Sequence, residues 1–209
     1  MEEYRIPTQP AQAELVEKKS RFIGHIWPVE SEEQALALLQ SVRKEHYNAT
    51  HNVYAYILKD GAMRYSDDGE PQGTAGLPVL DVLRKEQVFN VLCVVTRYFG
   101  GTLLGAGGLV RAYGKACKLA LDAAGVSWKR VWDQVEIPCP YAMLERLKLE
   151  VAAHEGQVID TEYGADVLLH CRFPHANTEA LVARVVDVSN GRIRPAVVMQ
   201  EYRAFPAEK

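Results

Sequence analysis

The pattern of hydrophobic and polar positions in the first half of the chain predicts a sheet with helices packed on it. Residues 21–29 are typical of a strand, in which Phe22, Gly24 and Ile26 would lie on one face and Ile23, His25 and Trp27 on the other. Pro28 ends this strand because proline cannot donate to a sheet ladder. Ser31 and Gln34 form a capping box ahead of apolar residues at helical spacing. A nearly unbroken apolar run at residues 90–98 is typical of a central strand. The pattern predicts strands at 14–19, 21–29, 52–58, 63–65 and 90–98, and helices at 32–46, 77–87 and 106–124.

From about residue 134 the pattern changes to the order β-α-β-β-α-β. One helix has Pro140 near its start and Gly156 past its end, which is the usual asymmetry of helix termini. The order of elements fits a ferredoxin-like sandwich. We therefore predict an α+β protein with two domains, residues 1–130 and 131–209. The predicted elements of the second domain are strands at 134–139, 157–163, 165–173 and 192–205, and helices at 140–156 and 177–191.

Composition and charge restrict the classes of function. The 209 residues are 48% apolar, which is enough to bury a core in each of two domains. The formal net charge is −3 and neither half of the chain is basic overall, which argues against a module that coats nucleic acid by bulk charge. Any anion-binding surface must therefore be a local patch.

Targeting signals and cysteine usage indicate a reducing compartment. The N-terminus lacks a basic segment followed by an apolar one, and no apolar run is long enough to span a bilayer, so we expect neither a signal peptide nor a membrane anchor. The cysteines are widely spaced and lie in apolar stretches, which predicts free, mostly buried thiols in a cytoplasmic protein. They are Cys93, Cys117, Cys139 and Cys171.

A glycine-rich loop lies between the strand at 90–98 and the helix at 106–124. A Walker A loop requires a lysine directly after its last glycine, and a Rossmann fingerprint requires a third glycine where this chain has Val110. Neither nucleotide motif is met. The glycines either only shape a tight strand-to-helix turn or, in addition, offer backbone N–H groups to a phosphate at the helix N-terminus. They are Gly100, Gly101, Gly105, Gly107 and Gly108.

The helix after this loop is amphipathic. Leu109 and Tyr113 lie on its apolar face, while Arg111, Lys115 and Lys118 lie on the opposite face and form a basic stripe. No acid joins the stripe before the last helical turn. A solvated helix face explains such a stripe, but its uniform sign also fits a track for a phosphate backbone.

Acidic residues cluster in the loop at 66–76, where Asp67, Asp68 and Glu70 fall within four positions. The cluster lacks the spacing of a calcium loop, and turn-forming hydrogen bonds explain it equally well. The histidines do not form a ligand set, so we predict no metal and no cofactor. His51 with these acids is the one constellation suited to acid–base chemistry.

Four sequence blocks together resemble the bacterial branch of the YigZ/IMPACT family. They are KSRFIG (19–24), ATHNVYAY (49–56), SDDGEPQGTAGLPVL (66–80) and VVTRYFGGTLLGAGGLVRAYG (94–114), in the order found in the family. The part after residue 134 resembles the small C-terminal domain of the same bacterial proteins.

The resemblance implies a ribosomal protein S5 domain 2-like fold followed by a ferredoxin-like domain. That pair looks like domains IV and V of elongation factor G, and eukaryotic relatives are linked to the control of translation. As fold analogy alone does not establish function, only the broad theme of translation carries over to this chain.

Three hypotheses follow. The first is a non-catalytic RNA- or ribosome-binding protein, and its expected contacts are Arg97, Tyr98, Arg111, Lys115, Lys118 and Arg21, with Lys18 and Lys19 as additions. The second is an enzyme that acts on a small anionic substrate. Its site would consist of His51, Asp67, Asp68, Glu70 and Arg97. The third is an adaptor that binds a protein partner in translation through the exposed sheet of its second domain.

Overall fold

The computed structural model describes residues 3–206, in which strands and helices mix along the chain as the α+β prediction requires. Two compact units are present, one formed mainly by residues 4–128 and the other mainly by residues 129–203. The elements of the first unit are β1 (Tyr4–Pro7), β2 (Ala11–Glu17), β3 (Ser20–Pro28), α1 (Glu32–Glu45), β4 (His51–Ile57), β5 (Met63–Ser66), α2 (Gly76–Lys85), β6 (Val91–Tyr98) and α3 (Ala106–Ala124).

The sheet of the first unit has the strand order β2-β3-β6-β4-β5, with every neighbouring pair antiparallel. The central strand β6 is buried on both faces, as its apolar run predicts. On one face Cys93 and Val95 join a core with α2 and α3, while on the other Leu92 and Val94 join a core with α1. The predicted cap of α1 is confirmed, because the Ser31 hydroxyl accepts a hydrogen bond from the backbone N–H of Gln34.

The hairpin at the start of the sheet differs from the prediction of a strand at 14–19. Strand β2 ends at Glu17, and Lys18 and Lys19 form a two-residue turn with φ angles of 45° and 67°. Two successive positive φ angles give the tight turn that suits the twist of a hairpin. The turn lacks the Asn-Gly or Asp-Gly signature that would have revealed it. β1 is a further strand without a sequence prediction, and its Arg5 bridges to Val88 in parallel.

The face of the sheet under α1 contains a buried histidine. His25 is 5% exposed, its ring stacks on Trp27 with centroids 5.7 Å apart, and the ring of His46 lies 5.1 Å away. Its Nε2 lies 3.4 Å from the hydroxyl of Thr96. Burial, reinforced by His46, lowers the pKa of His25 to about 4.

This lowered pKa makes the folded state sensitive to acid. The unfolded chain takes up a proton on His25 near pH 6.5 and the folded chain only near pH 4, so the free energy of unfolding falls as pH drops through that range. We expect a loss of about 2 kcal/mol between pH 7 and pH 5 from this group. Urea unfolding at both pH values should show a shallower pH dependence for His25→Gln than for the unmodified protein. An identical dependence would contradict the assignment.

The second unit has the elements β7 (Val126–Cys139), a 3₁₀ turn at Tyr141–Met143, α4 (Leu144–Ala153), β8 (Gln157–Tyr163), β9 (Val167–Pro174), α5 (His175–Val188) and β10 (Ala196–Pro206). Its strand order is β10-β7-β9-β8. This is the ferredoxin-like order. β8 and β9 form a hairpin, but β9 lies at the centre of the sheet beside β7 and β8 lies at its edge. Strand β7 begins eight positions earlier than the predicted 134, directly after Gly125 ends α3. Apolar side chains of β7, β9, α4 and α5 form the core.

The cysteines are free and buried, as predicted. Within residues 3–206, no helix is long and apolar enough to cross a membrane.

Candidate functional site

The acidic loop between β5 and α2 is held by its own backbone. One carboxylate oxygen of Asp67 accepts hydrogen bonds from the N–H groups of Ala75 (3.1 Å) and Gly76 (2.8 Å), and the other accepts from Gly73 (2.8 Å). Asp67 therefore satisfies N–H groups at the start of α2, where the helix has no capping side chain of its own. Its role is to shape the loop.

Asp68 connects the same loop to two other elements. Its Oδ1 accepts from Arg43 of α1 (2.9 Å), and its Oδ2 accepts from the backbone N–H of Asn52 in β4 (2.7 Å). Its backbone carbonyl lies 2.7 Å from Nδ1 of His51. Because a carbonyl only accepts, Nδ1 of His51 carries the proton, and in the neutral ring Nε2 is the acceptor.

A buried ion pair lies at the end of the sheet beside this histidine. Arg97 donates from Nη1 to Oε1 of Glu70 at 2.6 Å, and the two side chains are 6% and 4% exposed. The hydroxyl of Tyr113 donates to the same Oε1 at 2.7 Å, while Nη2 of Arg97 donates to the Ser20 hydroxyl at 3.3 Å. Burial and the hydrogen bond to Glu70 raise the pKa of Tyr113 well above its usual range.

The strand register brings His51 to this pair. His51 is directly opposite Arg97 in the antiparallel pairing of β4 with β6, and Phe22 of β3 is opposite Arg97 on the other side. Nε2 of His51 lies 3.8 Å from Oε1 of Glu70. The Arg97 guanidinium lies over the rings of Phe22 and Phe99, 5.3 and 5.5 Å from their centroids. Three of the five residues predicted for an anionic-substrate site therefore converge, and the other two hold the loop.

His51, Glu70, Arg97 and Phe99 line a cavity of about 390 Å³ at the N-terminus of α3. Gly105, the N-cap residue of α3, has a φ of 72°, and no side chain in the described part of the chain caps the helix. Of the residues that begin the helix, Gly105 and Ala106 line the cavity. The polar lining is Thr50, His51, Glu70 and Arg97, and the remaining lining is Pro71, Phe99, Leu103, Leu104, Gly105, Ala106 and Leu109.

Several of the predicted phosphate contacts are engaged elsewhere. Arg97 is buried in its ion pair, so it cannot contact a backbone that runs along the surface. Lys118 forms ion pairs with Glu86 and Asp122. Arg21 pairs with Glu14 at 2.8 Å, and its guanidinium covers the ring of Tyr98 at 5.7 Å. The basic stripe is therefore not uniformly positive, because the charge of Lys118 is paired with acidic side chains.

The remaining cations line a second depression. Arg111 and Lys115 of α3 face Lys18 of the β2–β3 turn across a groove of about 220 Å³, which we call the basic groove. Within residues 3–206, no acidic side chain forms an ion pair with any of these three cations. Glu17 is the one acid in the lining. Leu104 lines both the groove and the cavity and separates them.

Sequence reasoning missed three polar contributors to this region. Tyr113 was predicted on the apolar face of the helix, and it is fully buried there, but its hydroxyl bonds to Glu70. Ser20 and Arg43 carried no signal, since each acts through a partner distant in sequence. A single polar tip on an otherwise apolar helix face was the only available indication of the Tyr113 contact.

Comparison with known proteins covers both units. Residues 18–121 match the Impact N-terminal domain, and residues 137–192 match a domain of unknown function, DUF1949. The chain is 36% identical to the IMPACT family member YvyE of Bacillus subtilis over 186 residues, which cover 88% of this chain and 86% of that protein. It is also 36% identical to the IMPACT family member YigZ of Escherichia coli over 198 residues, 93% and 97% of the two chains.

Two further comparisons concern the first half and the fold. The mouse protein IMPACT is 35% identical over 112 residues, which are 47% of this chain and 35% of that protein. A solved structure described as the crystal structure of a hypothetical protein is 35% identical, with a TM-score of 0.61, and the similarity covers 95% of this chain and 98% of that one.

Proposed function

The chain belongs to the IMPACT family, and from this premise we propose that it is a non-catalytic protein that binds RNA, alone or in the ribosome, and modulates translation. The observation that carries the proposal is the basic groove. Lys18, Arg111 and Lys115 line it together and have no ion-pair partner among the described residues 3–206, which is the arrangement that a phosphate backbone requires.

The chain's overall charge limits the mode of binding. A protein with a net charge of −3 repels bulk nucleic acid at long range. Three local cations therefore favour a structured partner that presents its phosphates at one place. The ribosome is a partner of this kind, and it agrees with the theme of translation in the family resemblance.

The enzyme hypothesis is weaker in the structure. Asp67 and Asp68 have their carboxylate oxygens bonded to the protein itself, and the Glu70 carboxylate accepts from Arg97 and Tyr113. The acids that would transfer protons are thus engaged in structural hydrogen bonds. What remains of that hypothesis is a binding cavity.

The salt dependence of RNA binding tests the proposal. If three cations neutralise phosphates of single-stranded RNA, the logarithm of the affinity should fall with the logarithm of salt at a slope of about −2. In Arg111→Ala/Lys115→Ala the slope should shrink to about −0.7 and the affinity should fall at least about tenfold. Fluorescence anisotropy with a labelled oligouridylate measures both quantities.

A matched control is available on the same helix. Lys118→Ala removes a charge of the same stripe that is already paired with Glu86 and Asp122, so RNA affinity should change little. Co-sedimentation of the same variants with purified ribosomes tests the ribosomal form of the proposal. Equal affinity of the double variant and the unmodified chain for both partners would rule the groove out.

A further inference from the structure

We propose, as an extension that rests on the proposed function, that the RNA in the basic groove places one unpaired base in the cavity at the N-terminus of α3. The groove and the cavity are neighbours, since Leu104 belongs to the lining of both. A strand whose phosphates contact Arg111 and Lys115 therefore passes beside the side chain that borders the cavity. A base that leaves the RNA stack at this point has the cavity next to it.

Phe99 supplies an aromatic surface in the cavity. It is 46% exposed, although its ring is large and apolar. The Arg97 guanidinium lies 5.5 Å from the ring centroid, and the backbone N–H of Phe99 donates to the Thr50 hydroxyl at 3.1 Å. Because these contacts hold the ring in place before a ligand binds, little conformational entropy is lost when a base stacks on its exposed part.

The cavity has the size and the lining for a single base. Leu103 is 82% exposed, and Pro71 and Leu104 add further apolar side chains to the lining, so a base that enters removes apolar surface from water. The volume of about 390 Å³ lies near the lower end of the range for small-molecule sites, about 300 to 1,000 Å³. A paired base inside a helix already has both faces covered by its neighbours, so only an unpaired base can stack on Phe99.

Glu70 offers an acceptor for an amino group of the base. Glu70 lines the cavity, and its Oε1 accepts from Arg97 and Tyr113, whereas its Oε2 has no hydrogen-bond partner among residues 3–206. Adenine, cytosine and guanine carry an exocyclic amino group that donates to a carboxylate, and uracil carries none. The cavity therefore favours a base with an exocyclic amino group.

The charges of the two depressions divide the roles of phosphate and base. Lys18, Arg111 and Lys115 line the groove, while in the cavity the charge of Arg97 is balanced by Glu70. A phosphate therefore gains more at the groove. An uncharged base suits the cavity, because it carries no net charge that would have to be desolvated there.

Three RNA hairpins that differ at one unpaired position test the proposal by fluorescence anisotropy with the full chain. The position carries adenine, purine without the amino group, or no base, so all three hairpins have the same number of phosphates. The adenine hairpin should bind at least about tenfold more tightly than the abasic one, with the purine hairpin between them. Equal affinities for the adenine and abasic hairpins would overturn the proposal. Equal affinities for the adenine and purine hairpins would overturn the role of Glu70.

Variants of Phe99 locate the base. Phe99→Ala should lower the affinity for the adenine hairpin to that for the abasic hairpin, whose own affinity should stay unchanged. Phe99→Tyr keeps an aromatic ring and should keep the preference for adenine. Tyr65→Ala is the matched control, because Tyr65 is 44% exposed and belongs to the lining of neither depression. A preference for adenine that survives in Phe99→Ala would overturn the placement of the base in the cavity.

The groove variant separates this proposal from the proposed function. Arg111→Ala/Lys115→Ala should weaken the binding of all three hairpins by the same factor, since they share their phosphates. Affinities that depend on the groove but not on the base would keep the proposed function and remove the base from the cavity. A preference for adenine that depends on Phe99, with affinities that do not depend on the groove, would keep the base site and remove the groove. No binding of any hairpin would overturn both.

Discussion

Arg97→Met is expected to lower the free energy of unfolding by about 3 to 5 kcal/mol, because it leaves the Glu70 carboxylate buried without its cation. The two side chains are 6% and 4% exposed, so the carboxylate that remains is poorly hydrated. The Tyr113 hydroxyl remains as a neutral donor and compensates only in part. Urea unfolding at pH 7 measures the loss.

The control for this prediction is an ion pair in the same sheet. Arg21 forms an Arg–Glu pair with Glu14, but its side chain is 52% exposed. Arg21→Met should therefore cost less than about 1 kcal/mol. A loss in Arg97→Met no larger than that in Arg21→Met would contradict the assignment of a buried charge pair.

A double variant separates the charge from the packing. Arg97→Met/Glu70→Gln removes both charges and keeps an acceptor for the Tyr113 hydroxyl. We expect it to recover at least about 2 kcal/mol of the loss in the single variant. If the double variant is as unstable as the single one, the loss came from the packing of Arg97 on Phe22 and Phe99, not from the orphaned carboxylate.

Gly100→Ala is expected to destabilise the protein by about 3 kcal/mol and to displace the loop that forms one wall of the cavity. A Cβ at this position would overlap the backbone of Lys19 and Ser20, so one of the two segments must move. The Gly100 N–H also donates to the Ser20 hydroxyl at 3.2 Å, and that hydroxyl accepts from Arg97. A shift of the Ser20 backbone would therefore also disturb the hydrogen bond from Arg97, which belongs to the buried ion pair.

The neighbouring glycine is the matched control. Gly101 has a φ of 81°, but a Cβ there would meet no atom within 4 Å. Gly101→Ala should cost only the strain of a left-handed alanine, about 1 kcal/mol. Urea unfolding of both variants measures the difference. Equal losses would mean that the β2–β3 turn accommodates a Cβ at position 100 without a cost in free energy of unfolding.

The predictions for Arg97 and Gly100 concern one region, in which the glycine-rich loop follows strand β6. Arg97 lies near the end of the strand and Gly100 lies in the loop. Sequence reasoning treated the glycines as a turn or as a phosphate cradle. The structure supports a division of these roles, since Gly100 makes room for the neighbouring hairpin and Gly105 begins the helix whose terminus opens on the cavity.

Features with a local physical cause were predictable from the sequence. Helix α3 has the predicted bounds, because its apolar period is sustained over five turns and Gly125 ends it. Leu109 and Tyr113 are buried as the period requires. The Ser31 cap and the central position of β6 also follow from neighbouring residues alone. The ferredoxin-like strand order follows from the succession of elements.

The composition of the site was decided by tertiary structure. Arg97 and Glu70 are separated by 27 positions, and the strand register that places His51 opposite Arg97 depends on pairing across the whole sheet. A lone arginine at the end of an apolar strand is more often exposed. The sequence therefore favoured a surface position for Arg97, and its place in the cavity lining became evident only from its burial in the structure. Pairwise contacts between distant segments depend on register, turn geometry and helix placement together, and no local pattern of residue types encodes them.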